Sequence, residues 1–92
     1  MMEIGNLEEL KFCITNAKQN GLLYMGVAIK MPDLEKLEII INPYDNFDRK
    51  LEYYTKAYNS NLELNTFNKI KIVGISVGDY ADNIIAELLS LN

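Results

Sequence analysis

Between Leu23 and Met31 the chain alternates without a break: Leu23, Met25, Val27, Ile29 and Met31 fall on one side, Tyr24, Gly26, Ala28 and Lys30 on the other. A period of two is the mark of a strand, since no helix puts such a set on one face. Pro32-Asp33 is suited to open a turn. Leu37, Ile39 and Ile41 resume the alternation until Asn42-Pro43 ends it, because proline cannot donate to a sheet ladder. An antiparallel hairpin over about residues 22–42 is the fixed point around which the rest must pack.

Helical spacing brackets this hairpin. Asn6 followed by Glu9 has capping-box spacing, Leu7, Leu10, Ile14 and Ala17 recur behind it, and Asn20-Gly21 supplies a left-handed stop, which predicts a helix over 7–20. Asp45 or Asn46 caps a second helix over 46–58, with Phe47, Leu51, Tyr54 and Tyr58 in one stripe. Leu62-Glu63-Leu64 reads either as a short extended edge or as two anchoring side chains. Lys69 to Val77 carries β-branched residues on both faces, Val73, Ile75 and Val77 against Ile70 and Ile72, which predicts a strand covered on both sides. Asp79 then caps a third helix over 80–90, with Ala81, Ile84, Ile85 and Leu88 as its apolar stripe.

The expected fold is one α+β domain over residues 1–92, in the order α-β-β-α-β-α, with a three-stranded mixed sheet. A helix between the second and third strands returns the chain to the same end, so the last strand should run parallel to the second, through a right-handed crossover if both lie in one sheet; whether it lies beside the first strand or the second stays open. Two helices already cover one face of so narrow a sheet. On the other, Gly26, Ala28, Gly74 and Ser76 leave a smooth surface for the third helix or for a second chain.

Composition removes whole classes of function. Nine Lys and Arg against thirteen Asp and Glu give a net charge of -4, which opposes direct nucleic-acid binding and attraction to anionic membranes. The chain holds no His, the usual acid-base catalyst at neutral pH and the commonest metal ligand. A single Cys forms no internal disulfide, and no charged-then-apolar leader is evident, so a reducing cytoplasm is the expected compartment. Nor does any apolar run approach the about 18 residues of a membrane span. A binding protein is expected rather than an enzyme, with no cofactor, no metal and no catalytic residue.

Several local constellations bear on chemistry. Gly74 to Asp79 leads through glycines into a helix start, but it lacks the Lys-Ser/Thr of a phosphate loop, so Asp79 reads as a cap. Asp45 and Asp48 read as first-turn carboxylates favoured by the helix dipole rather than as a Mg²⁺ pair or an acid-base pair. Cys13, with no His to activate it, reads as an inert thiol. Phe12 falls on the polar side of its helix, among Glu8, Glu9, Asn16 and Gln19, either as a scattered surface hydrophobe or as an interface residue. A homodimer through Phe12 and the smooth face at Gly26 and Ala28 follows as an expectation.

The densest signal lies in residues 44–58, which hold five of the nine aromatic residues. With Phe47, Leu51, Tyr54 and Tyr58 turned inward, Arg49, Tyr53 and Lys56 form an outer stripe, with Tyr44 at its head. An aromatic flanked by cations can stack a base and hold a phosphate, or anchor a protein partner; the stripe also reads as a plain solvated face with Glu52 pairing Lys56. Tyr44, Arg49, Tyr53 and Lys56 are the candidate binding residues.

The run Leu37-Glu38-Ile39-Ile40-Ile41-Asn42-Pro43, then Asn46, Lys50-Leu51-Glu52-Tyr53-Tyr54, Ala57-Tyr58 and Lys71-Ile72-Val73-Gly74, resembles small uncharacterised proteins encoded by phages and prophages of low-GC Gram-positive bacteria. The resemblance covers about residues 22–78 and brings no catalytic residue with it. It implies an accessory protein that acts by binding, either inhibiting a host protein, antiviral defence machinery included, or sequestering a signalling nucleotide. A small carboxylate-dependent hydrolase and a structural role in the virion are the remaining alternatives.

Overall fold

The computed structural model describes residues 2–92, and its elements follow the order β1 (Met2–Glu3), α1 (Leu7–Gln19), β2 (Tyr24–Lys30), β3 (Glu38–Pro43), a 3₁₀ turn (Tyr44–Asn46), α2 (Phe47–Ala57), β4 (Glu63–Leu64), β5 (Phe67–Gly78) and α3 (Ala81–Leu89). Helix α1 starts as its spacing predicts. Asn6 Oδ1 accepts the Glu9 N–H at 2.9 Å, and Glu9 Oε1 reaches back to the Gly5 N–H at 3.0 Å. Leu10, Ile14 and Ala17 are its buried stripe, and Gly21 at φ +66° turns the chain toward β2.

The three-stranded mixed sheet is overturned. All pairings are antiparallel, the strand order is β1-β5-β2-β3, and the short β4 also pairs with β5. The last long strand runs in the same direction as β3 but lies against β2, on the side away from it. Apolar residues on both faces say that a strand is covered twice; they do not say by which neighbour, and an antiparallel central strand between two helical layers reads the same as a parallel one. The expected order α-β-β-α-β-α also gains β1, the 3₁₀ turn and β4, each too short to show a period.

A bulge separates the predicted faces of β5 from the observed ones. Ala28 pairs with Gly74 but Ile29 pairs with Ile72, so Val73 is the extra residue in the ladder. Strict alternation would put Val73, Ile75 and Val77 together. The bulge instead brings Ile70, Ile72, Ile75 and Val77 to the layer of α1 and α2, and turns Val73 toward α3.

On the first face, Met25, Val27 and Ile29 meet Leu10, Ile14, Phe47, Tyr54 and Tyr58. On the second, Ile84 and Leu88 of α3 lie on Ala28 with Ile39, Ile41 and Val73 around them. Gly26 is the contact point: a Cβ there would lie 2.4 Å from Ile84 Cγ2. The smooth face is therefore covered by the chain's own third helix, and Gly26 and Ala28, expected at a dimer interface, are buried under it. Ser76 Oγ donates to Glu87 Oε2 at 3.0 Å and fastens the helix to β5. Neither Asp79 nor Asn46 caps its helix through its side chain. Tyr80 occupies the N-cap of α3 without a side-chain bond, and Asn46 precedes α2 while accepting a hydrogen bond from the Arg49 guanidinium.

Both readings of the segment after α2 hold together, since Leu62 is fully buried and Glu63–Leu64 form β4. Leu62 adopts φ +64°, in a turn that Asn59 builds by accepting the N–H groups of Asn61 and Glu63. The carbonyls of Lys56 and Ala57, left over at the end of α2, are taken by Asn65.

The Tyr54 hydroxyl is buried without a hydrogen-bond partner among the described residues. Removing such a group relieves a desolvation penalty, so Tyr54→Phe should raise stability by about 1 kcal/mol in urea titrations at neutral pH. Burial also pushes the Tyr54 and Tyr58 hydroxyls above the usual tyrosine range. With the folded pKa above the unfolded one, stability is fully present below pH of about 10 and falls as the pH climbs beyond it. The urea midpoint should therefore hold steady to about pH 9.5 and then drop, less steeply in Tyr54→Phe; an equal slope in both proteins would clear Tyr54.

Candidate functional site

Register brings three chain segments to one end of the sheet. Tyr24 opens β2 between Pro43 at the end of β3 and Gly78 at the end of β5. From those ends the chain runs on to Tyr44 and to Asp79-Tyr80. Leu23 ties the two continuations together: its carbonyl accepts the Tyr44 N–H at 2.8 Å, and its N–H donates to Asp79 Oδ1 at 3.2 Å. Asp79, expected to cap α3, clamps the start of β2 instead.

With its backbone pinned, the Leu23 side chain is left 52% exposed rather than joining the inward set its spacing suggests. The half-buried Tyr24 and Tyr44, 40% exposed, line a hollow with it, and Tyr80, 71% exposed, lines a second hollow beside Tyr24. Two hollows flank Tyr24. One of about 410 Å³ lies between Gly21, Leu23, Pro43, Tyr44 and Asp45, the other of about 510 Å³ against Asp79, Tyr80, Asp82 and Asn83. The rim is acidic on both sides.

Sequence reasoning missed Leu23 and Tyr80. The signal for Tyr80 was present, an aromatic at the start of a helix outside its apolar stripe; Leu23 gave none, because its exposure follows from a hydrogen bond spanning 56 positions.

The four sequence-predicted binding residues lie along the 3₁₀ turn and α2, as the spacing requires. Tyr44 packs against Phe47, and Tyr53 is 48% exposed with Lys50 Nζ 5.3 Å from its ring centre. The cations are less available. Arg49 donates to Asn46 Oδ1, and Lys56 Nζ binds Glu52 Oε1 at 2.7 Å, which holds the Glu52 carboxyl below its ordinary range. Tyr44 alone belongs to both the helix stripe and the sheet end. Phe12 is 70% exposed on α1 and takes no part in either core cluster.

No protein-family profile matches the chain, and no curated protein or solved structure matches it. The chemistry of the site must therefore be read from its own groups. Burial and the Glu9 carboxylate push the Cys13 thiol up, away from nucleophilic reactivity. Asp48 is engaged by Lys18 Nζ at 2.6 Å, which joins α1 to α2 and separates it from Asp45 as a carboxylate pair. Among the described residues no cluster of three or more His, Cys, Asp or Glu could hold a metal ion, and no helix is long and apolar enough to cross a membrane.

Proposed function

We propose that this chain acts by binding a protein partner, and that the contact centres on the end of the sheet formed by Leu23, Tyr24, Tyr44 and Tyr80. One observation carries the reading: Leu23, Tyr44 and Tyr80, exposed and from three separate segments, flank the half-buried Tyr24 where the backbone is held by hydrogen bonds. Large apolar side chains on a rigid base with a polar rim have the make-up of a binding hot spot. A host protein, as the resemblance implies, is the narrower form of this proposal. Sequestration of a nucleotide is less well supported, since Arg49 and Lys56 are tied within α2 and three aspartates rim the exposed tyrosines.

The test is affinity capture from lysate of a low-GC Gram-positive bacterium, followed by calorimetry with the recovered protein. Leu23→Ser, Tyr44→Ala and Tyr80→Ala should each weaken binding roughly 5- to 30-fold, while Arg49→Ala and Lys56→Ala stay within about twofold. Binding lost through Arg49 and Tyr53 but indifferent to Tyr80 would move the contact to the face of α2. A nucleotide released on denaturing the purified protein would overturn the protein-partner reading.

A further inference from the structure

Strand β3 ends the sheet, and no described residue pairs with its outer edge. The parity of that edge is set by the ladder with β2. Tyr44 N–H bonds the Leu23 carbonyl, and in an antiparallel ladder inward and outward positions alternate, so residues 38, 40, 42 and 44 turn their backbone groups to β2. Residues 39 and 41 turn theirs outward. Beyond them Pro43 has no N–H, and the Leu37 N–H is held by Asn92 Oδ1 at 2.6 Å. The open edge is therefore short: the N–H and C=O of Ile39 and of Ile41, with the Pro43 carbonyl beyond.

Between the Pro43 stop and the Asn92 cap on Leu37, the edge has no guard. Edge strands are ordinarily blunted by an inward-pointing charge, a proline or a bulge within the strand. Here Ile39, Ile40 and Ile41 follow one another, all only half-buried, in an unbroken register with β2. The edge also fits a copy of itself. Antiparallel pairing centred on Ile40 sets Ile39 against Ile41 twice, and each such pair exchanges two hydrogen bonds, which uses every outward group of both residues. Centring on Ile41 would oppose Ile39 to Pro43, which has no donor; centring on Ile39 would need the Leu37 N–H that Asn92 already holds.

Side chains agree with the backbone in this register. Ile40 meets Ile40 on the layer of α1 and α2, and Ile39 meets Ile41 on the layer of α3, so both cores continue across the seam. Glu38 comes opposite Asn42 of the second copy, on the face they share. Asn42 is 4% exposed, and its Nδ2 is a buried donor with no partner among the described residues. The pairing sets a carboxylate beside an amide, with no like charges directly opposite each other. The two Glu38 side chains stand about 13 Å apart along the seam, beyond strong repulsion.

We infer that two copies of this chain join through the free edges of their β3 strands, antiparallel and centred on Ile40, into one continuous sheet. The inference rests on the backbone of β3 and is independent of the protein-partner reading. It replaces the buried face at Gly26 and Ala28 as the place where copies meet.

Light scattering and sedimentation of the wild-type chain across the micromolar range test the dimer, and cysteine trapping tests the register. In a Cys13→Ala background, Ile40→Cys places two thiols directly opposite at the dyad and should yield a disulfide-linked dimer under mild oxidation. Ile41→Cys, whose opposite residue is Ile39, should yield at least about tenfold less. A dimeric wild type with trapping confined to the Ile40→Cys variant supports the proposal. A wild-type monomer throughout that range overturns it, as does a dimer in which Ile41→Cys traps as readily as Ile40→Cys.

Discussion

Replacing Gly26 by valine should strip α3 from the sheet. Even the first added carbon would sit 2.4 Å from Ile84 Cγ2, 2.8 Å from Ile41 Cδ1 and 2.9 Å from Leu88 Cδ1. Real side chains do not approach so closely, and the Ile84 methyl branches directly from its Cβ, so it has no long stem with which to swing aside. Relief must come from the helix, which is held mainly by Ile84, Leu88 and the Ser76–Glu87 bond. A loss of about 3 kcal/mol is expected, a large fraction of the stability of a domain this size. Hydrogen exchange should show the cause, with amides of 81–89 losing protection before those of α1. A variant whose α3 amides stay as protected as in the wild type would mean that the second layer yields more easily than its packing suggests.

Leu62→Ala should be as damaging for a different reason. The side chain is fully buried in the main core while its backbone sits at φ +64°, which costs a non-glycine residue roughly 1–3 kcal/mol. Burial outweighs that cost, so truncation should lose about 2–4 kcal/mol by thermal or urea unfolding. Glycine makes the argument sharper. At an ordinary position Leu→Gly is worse than Leu→Ala, but here glycine removes the strain, and Leu62→Gly should equal or exceed Leu62→Ala in stability. The reverse ranking would show that the turn imposes no strain at this residue.

The helices and the hairpin were legible because each carries a period over at least six residues. In α1 the Asn6 and Glu9 cap, the apolar stripe and the Gly21 stop all agree. What escaped was the choice of neighbour. Nothing in Lys69 to Val77 says that it will lie beside β2 and not β3, because that decision is made by residues some 45 positions away. The Val73 bulge escaped for a related reason: a single extra residue shifts the phase of the strand, and only the pairing partner reveals it. Of the candidate site, Tyr44 was legible as an aromatic outside an apolar stripe. Leu23 was not, since its position in the alternation pointed inward and only Asp79 and Tyr44 hold it at the rim.

The place of β5 at the middle of the sheet has a consequence for the order of events during synthesis. Residues 67–78 pair with β1, β2 and β4, so until they are made β2 has no strand against it except β3. A lone two-stranded hairpin is marginal in water. At translation rates of about 5–20 residues per second, the hairpin ending at Pro43 waits roughly 2–7 s for Gly78 to be made. Throughout that interval β2 as well as β3 offers an unpaired edge. The nascent chain is thus most exposed to misassociation between the synthesis of Pro43 and that of Gly78, when β5 closes the sheet.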